Sequence, residues 1–211
     1  MIVTWHGHSC FAVKDKVVVV MDPHDGKSIG IKQPVVKADI VLVSHDHFDH
    51  NCTRIVKGDF LVIKEPGERT EKEVSITGIQ AFHDTEQGGK RGKDVIFKFE
   101  IGGVMFCHCG DLGHLPTKEQ LDRIGKVDVL FIPVGGVFTI NAAEAHRLIK
   151  SIAPKVAIPM HYRLGGLSLS IQTIDEFERL SPAEKVIHVG NEVEFQLEDL
   201  PRHTEFWIFS L

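Results

Sequence analysis

Ser44-His45-Asp46-His47-Phe48-Asp49-His50 follows directly on the apolar run Ile40-Val41-Leu42-Val43. His45, His47, Asp49 and His50 thus crowd into one short stretch. Imidazoles this close repel one another once protonated, and ordering them for packing alone is costly. A metal ion removes the conflict, because neutral imidazole and ionised carboxylate are the forms that ligate it. A buried strand that empties into such a cluster reads as a catalytic metal centre.

Further ligand-type residues recur in the same setting. The run Val17-Val18-Val19-Val20-Met21 ends at Asp22-Pro23, and Ile79-Gln80-Ala81-Phe82 delivers His83. A strand expected over 104–109 is followed by Gly110-Asp111, and one over 156–159 delivers Met160-His161. A fold that brings these strand ends to one edge builds a site for two metals. One ion would take three imidazoles and the other a carboxylate and two imidazoles, with a shared carboxylate and a hydroxide between them. Zn²⁺ suits this nitrogen and oxygen set best, while Mn²⁺, Fe²⁺, Co²⁺ and Ni²⁺ remain compatible with it.

Short apolar strands are expected over 2–5, 10–13, 17–21, 40–44, 60–64 and 73–79, the near-continuous ones having the pattern of a covered sheet. Strands 95–100 and 104–109 flank Gly102-Gly103, a hairpin turn. Helices come later. Thr117-x-x-Gln120 and Asn141-x-x-Glu144 are capping boxes, the second opening a helix with Ala145, Leu148, Ile149 and Ile152 on one stripe before Pro154. A strand over 127–132 lies between them, a third helix is expected near 172–180, and strands near 185–189, 192–197 and 205–209 close the chain. This order favours a two-sheet α/β sandwich in one domain, residues 1–211, over an open doubly wound sheet.

The composition is that of an ordinary globular protein, 43% apolar and 25% charged. A formal charge of -5 gives no general support to nucleic-acid binding. No span reaches the roughly 18 apolar residues of a membrane helix, and Met1-Ile2-Val3-Thr4-Trp5-His6 does not open a leader, so a cytoplasmic location is expected. Cys10, Cys52, Cys107 and Cys109 form no CxxC pair and are expected to be reduced thiols. In Cys107-His108-Cys109, strand alternation throws the imidazole to the face opposite the thiols, which argues against a shared metal.

Ser-His-x-His-x-Asp-His, with Asp22 before it and Asp111 and His161 after it, resembles the hallmark of the metallo-β-lactamase fold superfamily across essentially the whole chain. The resemblance implies a four-layer αββα sandwich. It implies that His45, His47 and His83 hold one metal, that Asp49, His50 and His161 hold the other, and that Asp111 bridges. Asp22 would be a carboxylate orienting the ligands from behind. A narrower resemblance is to compact bacterial hydrolases related to ascorbate-6-phosphate lactonase. It is carried by Trp5-His6-Gly7-His8-Ser9-Cys10-Phe11, Asp22-Pro23, Cys109-Gly110-Asp111, Ile132-Pro133-Val134-Gly135-Gly136-Val137-Phe138-Thr139 and Ile158-Pro159-Met160-His161-Tyr162.

The expected chemistry is hydrolysis of a small anionic phosphoester or lactone by a bridging hydroxide. Asp49 and Asp111 are the candidate catalytic carboxylates, and His114 is a candidate proton donor. His8 and His24 are candidates for the cleft lining, Thr139 for a substrate contact, and Lys90-Arg91-Gly92-Lys93 for gathering a phosphate or carboxylate. Trp207 or Phe206, if exposed, would offer a homo-oligomer contact. The competing readings are a phosphodiesterase or nuclease, a non-catalytic metal-binding protein, and an iron-dependent redox protein.

Overall fold

Every residue of the strand Val18–Met21 (β3) is wanted by one of two cores. In the computed structural model, which describes residues 1–182 and 185–211, Val19 and Met21 face the main core while Val18 and Val20 face a second, smaller cluster. That explains an apolar run without alternation: the strand is covered on both sides.

In chain order the first five strands are β1 (Ile2–Trp5), β2 (Phe11–Lys14), β3 (Val18–Met21), β4 (Ile40–Leu42) and β5 (Leu61–Ile63). Then come β6 (Gly67–Glu71), β7 (Val74–Phe82), β8 (Lys93–Ile101), β9 (Val104–His108), β10 (Val129–Pro133) and β11 (Val156–Met160). The last are β12 (Val186–His188), β13 (Glu192–Glu194) and β14 (Glu205–Ile208), and the helices are α1 (Lys118–Ile124), α2 (Ala142–Ile152) and α3 (Asp175–Leu180). One sheet runs β13-β1-β2-β3-β4-β5 and the other β12-β14-β11-β10-β9-β8-β7-β6. The main core draws side chains from both sheets, among them Trp5, Phe11, Phe97, Phe106 and Phe131. Helices α1 and α2 lie against β7 and β10 of the second sheet. The outer cluster on the first sheet takes Val36, Ala38, Ile55 and Val56, from connecting loops and the short 3-10 turn Thr53–Ile55. The architecture is the αββα sandwich of the metallo-β-lactamase type.

Both expected capping boxes form. Thr117 and Asn141 accept from the amides of Gln120 and Glu144, whose side chains return to the cap amides. Several boundaries move for definite reasons. The strand expected over 40–44 ends at Leu42, because the Ser44 amide turns to the Asp22 carboxylate at 2.7 Å. The helix expected from 172 begins at Asp175, since Gln172 pairs its backbone with Gly135 and Arg163. Strand 192–197 stops at Glu194, after which a 3-10 turn over Leu197–Asp199 takes over. Phe206 and Trp207 are buried, not exposed, because β14 lies between β11 and β12; they are not available as an oligomer contact. All four cysteines are free and buried. No helix among the described residues is long and apolar enough to cross a membrane.

Parallel register positions the site. Val19 pairs with Ile40 and Met21 with Leu42, which sets Asp22 beside Ser44. Phe131 pairs with His108 and with Ile158, so the segments after β9, β10 and β11 leave the sheet on the same edge.

Candidate metal centre

Asp111 stands among four imidazoles that come from three different segments, after β4, β7 and β11. Its Oδ2 lies 3.2 Å from His83 Nε2, 3.1 Å from His161 Nε2 and 3.9 Å from His45 Nε2, and its Oδ1 lies 3.3 Å from His50 Nε2. Around it the ligand-type atoms fall into groups that each close within 4.8 Å: His45, His47 and His83; His8, Asp49, His50 and His161; and Asp22, His45 and His50. All are buried except His47, which is half-buried. The turn delivering Asp111 requires Gly110: its φ is +55°, and a Cβ there would sit 2.4 Å from Asp94 Oδ1 and 2.6 Å from Ser44 Cβ.

Asp22 backs this cluster. Its Oδ2 accepts from His50 Nδ1 at 2.9 Å and from Ser44 Oγ at 2.7 Å, while Oδ1 accepts the Ser44 amide. The His50 tautomer is thereby set with its proton on Nδ1 and Nε2 free to ligate. Ser44 Oγ also lies 2.9 Å from His45 Nδ1.

Several buried atoms at the centre have no hydrogen-bond partner: His45 Nε2, His50 Nε2 and Asp111 Oδ1. Leaving such groups unmet costs about 1–3 kcal/mol each. Their electrostatics are equally unsettled. Burial holds the His45 and His47 pKa down to about 4, whereas at His50 the Asp111 and Asp49 charges overcome burial and raise it well above the ordinary value. Burial opposes ionisation of Asp111, yet His161 and His50 hold its carboxyl far below the usual range. Ionised Asp111 among imidazoles of which His45 and His47 are held neutral, with inner atoms unmet, makes a donor set that fits divalent ions, whose charge would displace the proton held at His50.

Three residues matter more here than their sequence context suggested. Asp94 is fully buried, its Oδ1 accepting the Asp111 amide at 3.2 Å and lying 3.5 Å from His45 Nδ1. Burial, then the Asp111 and Asp22 charges, raise its pKa well above normal, favouring the protonated acid. As the second residue of a strand after a basic loop, it gave no local signal. Asp84 accepts four amide hydrogens, from Glu86, Gly88, Lys90 and Arg91, and so moulds the loop into a fixed shape. His8, expected at most to line the cleft, lies with its Nε2 3.1 Å from Asp49 Oδ2.

The remaining candidates lie outside the ligand groups. The His114 Nε2 accepts the Phe82 amide at 3.2 Å and its Nδ1 donates to the Leu115 carbonyl at 2.9 Å, so both ring nitrogens engage backbone. Thr139 Oγ1 donates to the Ile140 carbonyl at 3.0 Å, which occupies its proton and argues against a substrate contact. His24 Nε2 donates to the His6 carbonyl at 3.1 Å and belongs to none of the ligand groups. His108 bonds to Ser9 O and Gly110 N while Cys107 and Cys109 lie in the main core, as alternation requires.

Residues 2–161 match the Beta-lactamase superfamily domain. The chain is a member of the metallo-β-lactamase superfamily. Its fold superposes with a TM-score of 0.82 on a crystal structure from Thermotoga maritima, described as a candidate Zn-dependent hydrolase of that superfamily. The two are 37% identical, over 99% of this chain and 97% of the other. A UPF0173 metal-dependent hydrolase of Thermoplasma acidophilum is 29% identical over 76% of this chain and 82% of its own length. One from Nitratidesulfovibrio vulgaris strain DP4 is 30% identical over 76% and 79%. With its paired His/Asp clusters, this superfamily member has the active site of a dinuclear metal-dependent hydrolase.

Beside the centre lies a cleft of about 400 Å³, lined by His45, His47, Gln80, Lys64, Arg91 and Lys93 among others. The Arg91 guanidinium is held 4.4 Å from the centroid of the Phe138 ring. Lys64 is paired with Asp46 at 2.7 Å.

Proposed function

We propose that the protein hydrolyses a small anionic metabolite, a phosphoester or a lactone, at the dinuclear centre. The observation that carries this reading is the placement of Arg91 and Lys93 in the same cleft as His45 and His47. The Asp84-moulded loop presents Arg91 in one position against Phe138, so a bound anion finds a donor already oriented.

His45, His47 and His83 would hold one ion, and Asp49, His50 and His161 the other, with Asp111 between them. Zn²⁺ is the best match to these donors. When bound, two such ions supply a water acidic enough to attack near neutral pH and a Lewis acid for the leaving oxygen. The chain's own groups provide the rest. Asp111 stands between the two clusters, since its Oδ2 lies close to His83 of one and His161 of the other. Asp22 keeps the His50 proton on Nδ1 and so keeps Nε2 turned to the centre. Arg91 and Lys93 hold the substrate's negative group away from the bond to be broken.

The test is a substrate panel with the zinc-loaded protein: a cyclic phosphodiester, a sugar-phosphate lactone, a neutral ester of similar size, and single-stranded RNA. Turnover of either anionic metabolite ahead of the neutral ester supports the reading. Turnover of RNA alone, or of nothing, defeats it.

A further inference from the structure

The turn between β1 and β2 reaches the centre from a side that the His-rich motif does not occupy. Gly7 and His8 both have positive φ, +92° and +54°. The turn is closed by the Cys10 amide on the Gly7 carbonyl at 3.0 Å and pinned by Trp5 Nε1 donating to the His8 carbonyl at 3.1 Å. A non-glycine residue persists in this region only where its surroundings over-determine it. His8 is fully buried, and its position does two things.

Its ring Nε2 lies 3.1 Å from Asp49 Oδ2. An ionised carboxylate only accepts, so the proton is on the histidine. Its carbonyl accepts the amide of His161 at 3.4 Å, and the His8 and His161 ring centroids are 4.3 Å apart. His161 is itself in the left-handed region, at φ +52°. One residue therefore braces Asp49 through its side chain and His161 through its backbone. Among the described residues, no hydrogen bond runs from His8 to His45, His47 or His83.

We propose that His8 is a positioning residue for one metal position only. It fixes Asp49 and His161 and so sets the affinity for the ion they share with His50, leaving the ion at His45, His47 and His83 unaffected. This rests on the dinuclear reading above.

The experiment titrates Zn²⁺ into chelator-stripped protein against a chromophoric chelator, for the parent, His8→Asn and His8→Gln. Asparagine tolerates the left-handed backbone but is too short to reach Asp49. Glutamine places an amide N–H close to where the imidazole Nε2–H stood. The expected result is one tight Zn²⁺ retained in His8→Asn, with the second weakened about 10–100-fold, the size of effect seen when a group orienting a ligand is removed. His8→Gln should recover most of that loss. Equal weakening of both ions, or no change in either variant, overturns the proposal. So does a His8→Gln as weak as His8→Asn, which would make the ring itself a ligand. Should His8→Asn fail to fold, His8→Gln alone decides: parental second-ion affinity supports the role and its loss refutes it. A parent that binds a single ion refutes the dinuclear reading and this role together, whereas two ions bound alike by all three proteins refute this role alone.

Discussion

Asp22 Oδ2 accepts the Nδ1 proton of His50 at 2.9 Å, and the same carboxylate takes both the amide and the hydroxyl of Ser44. Three donors converge on one buried group, and each comes from the segment that carries the metal motif. Asparagine cannot reproduce this, because its amide nitrogen would face an N–H or O–H it cannot accept from. Asp22→Asn should therefore weaken the ion at His50 about 10–100-fold while the other is largely kept. Zinc stoichiometry and competition with a chelator measure this, and parental affinity at both positions would show the pairing to be dispensable.

Asp111→Asn should keep the fold and lose most of the activity. The substitution is nearly isosteric, but it removes the one charge shared by His50, His83 and His161. A fall of about 10²–10³-fold in kcat is expected, comparable to removing a single electrostatic stabiliser from an active site. It should come with loss of one bound ion per chain. Parental metal content and rate together would reject Asp111 as the shared carboxylate.

The ligand-type residues were legible because each follows a strand, and strands are what apolar runs report best. Asp22, His45, His83, Asp111 and His161 all sit just past such runs, and parallel pairing gathers their ends. What the sequence hides is whatever depends on a distant partner. Asp94 reads as part of a polar loop until β8 is seen to bury it against Asp111. β6 (Gly67–Glu71) went unseen because it is an edge strand rich in charge, Glu68, Arg69 and Glu71, with no apolar alternation to mark it. Phe206 and Trp207 looked free because they stand near the end of the chain, whereas β14 is an interior strand.

His114→Ala should leave both ions and the rate almost untouched. Its ring joins the Phe82 amide to the Leu115 carbonyl, so the loss is one of local stability, about 1–2 kcal/mol for two modest hydrogen bonds. Thermal unfolding and kcat on one preparation distinguish the cases. A large drop in kcat at full metal content would restore the imidazole as a proton donor.

Arg91→Ala should raise KM for an anionic phosphoester or lactone while leaving kcat near the parental value. A charge-assisted hydrogen bond is worth about 1.5 kcal/mol or more, which corresponds to roughly a tenfold rise. KM for a neutral ester should not move. An equal effect on charged and neutral substrates would mean that Arg91 only supports the loop against Phe138.

The stripped protein should grow less stable as the pH falls from about 6.5 to about 4. Burial holds the pKa of His8 down to about 3 and those of His24, His45 and His47 to about 4, so the unfolded chain takes up these protons first. Stability from these groups is complete above their ordinary value of 6.5 and is lost through that window. His50 and His83 act in the opposite sense. Burial lowers them, but Asp111 more than compensates, so their contribution is full below 6.5 and fades as the pH rises through the folded values. Burial also lowers His6 and His108, so six depressed imidazoles against two raised ones give a Tm in excess chelator that declines on acidification. Zinc should raise Tm at neutral pH and lose that effect toward pH 4, as protons displace it from the imidazoles. A chelated protein whose Tm stays level or climbs between pH 6.5 and 4 would mean that these histidines are not buried in the neutral form.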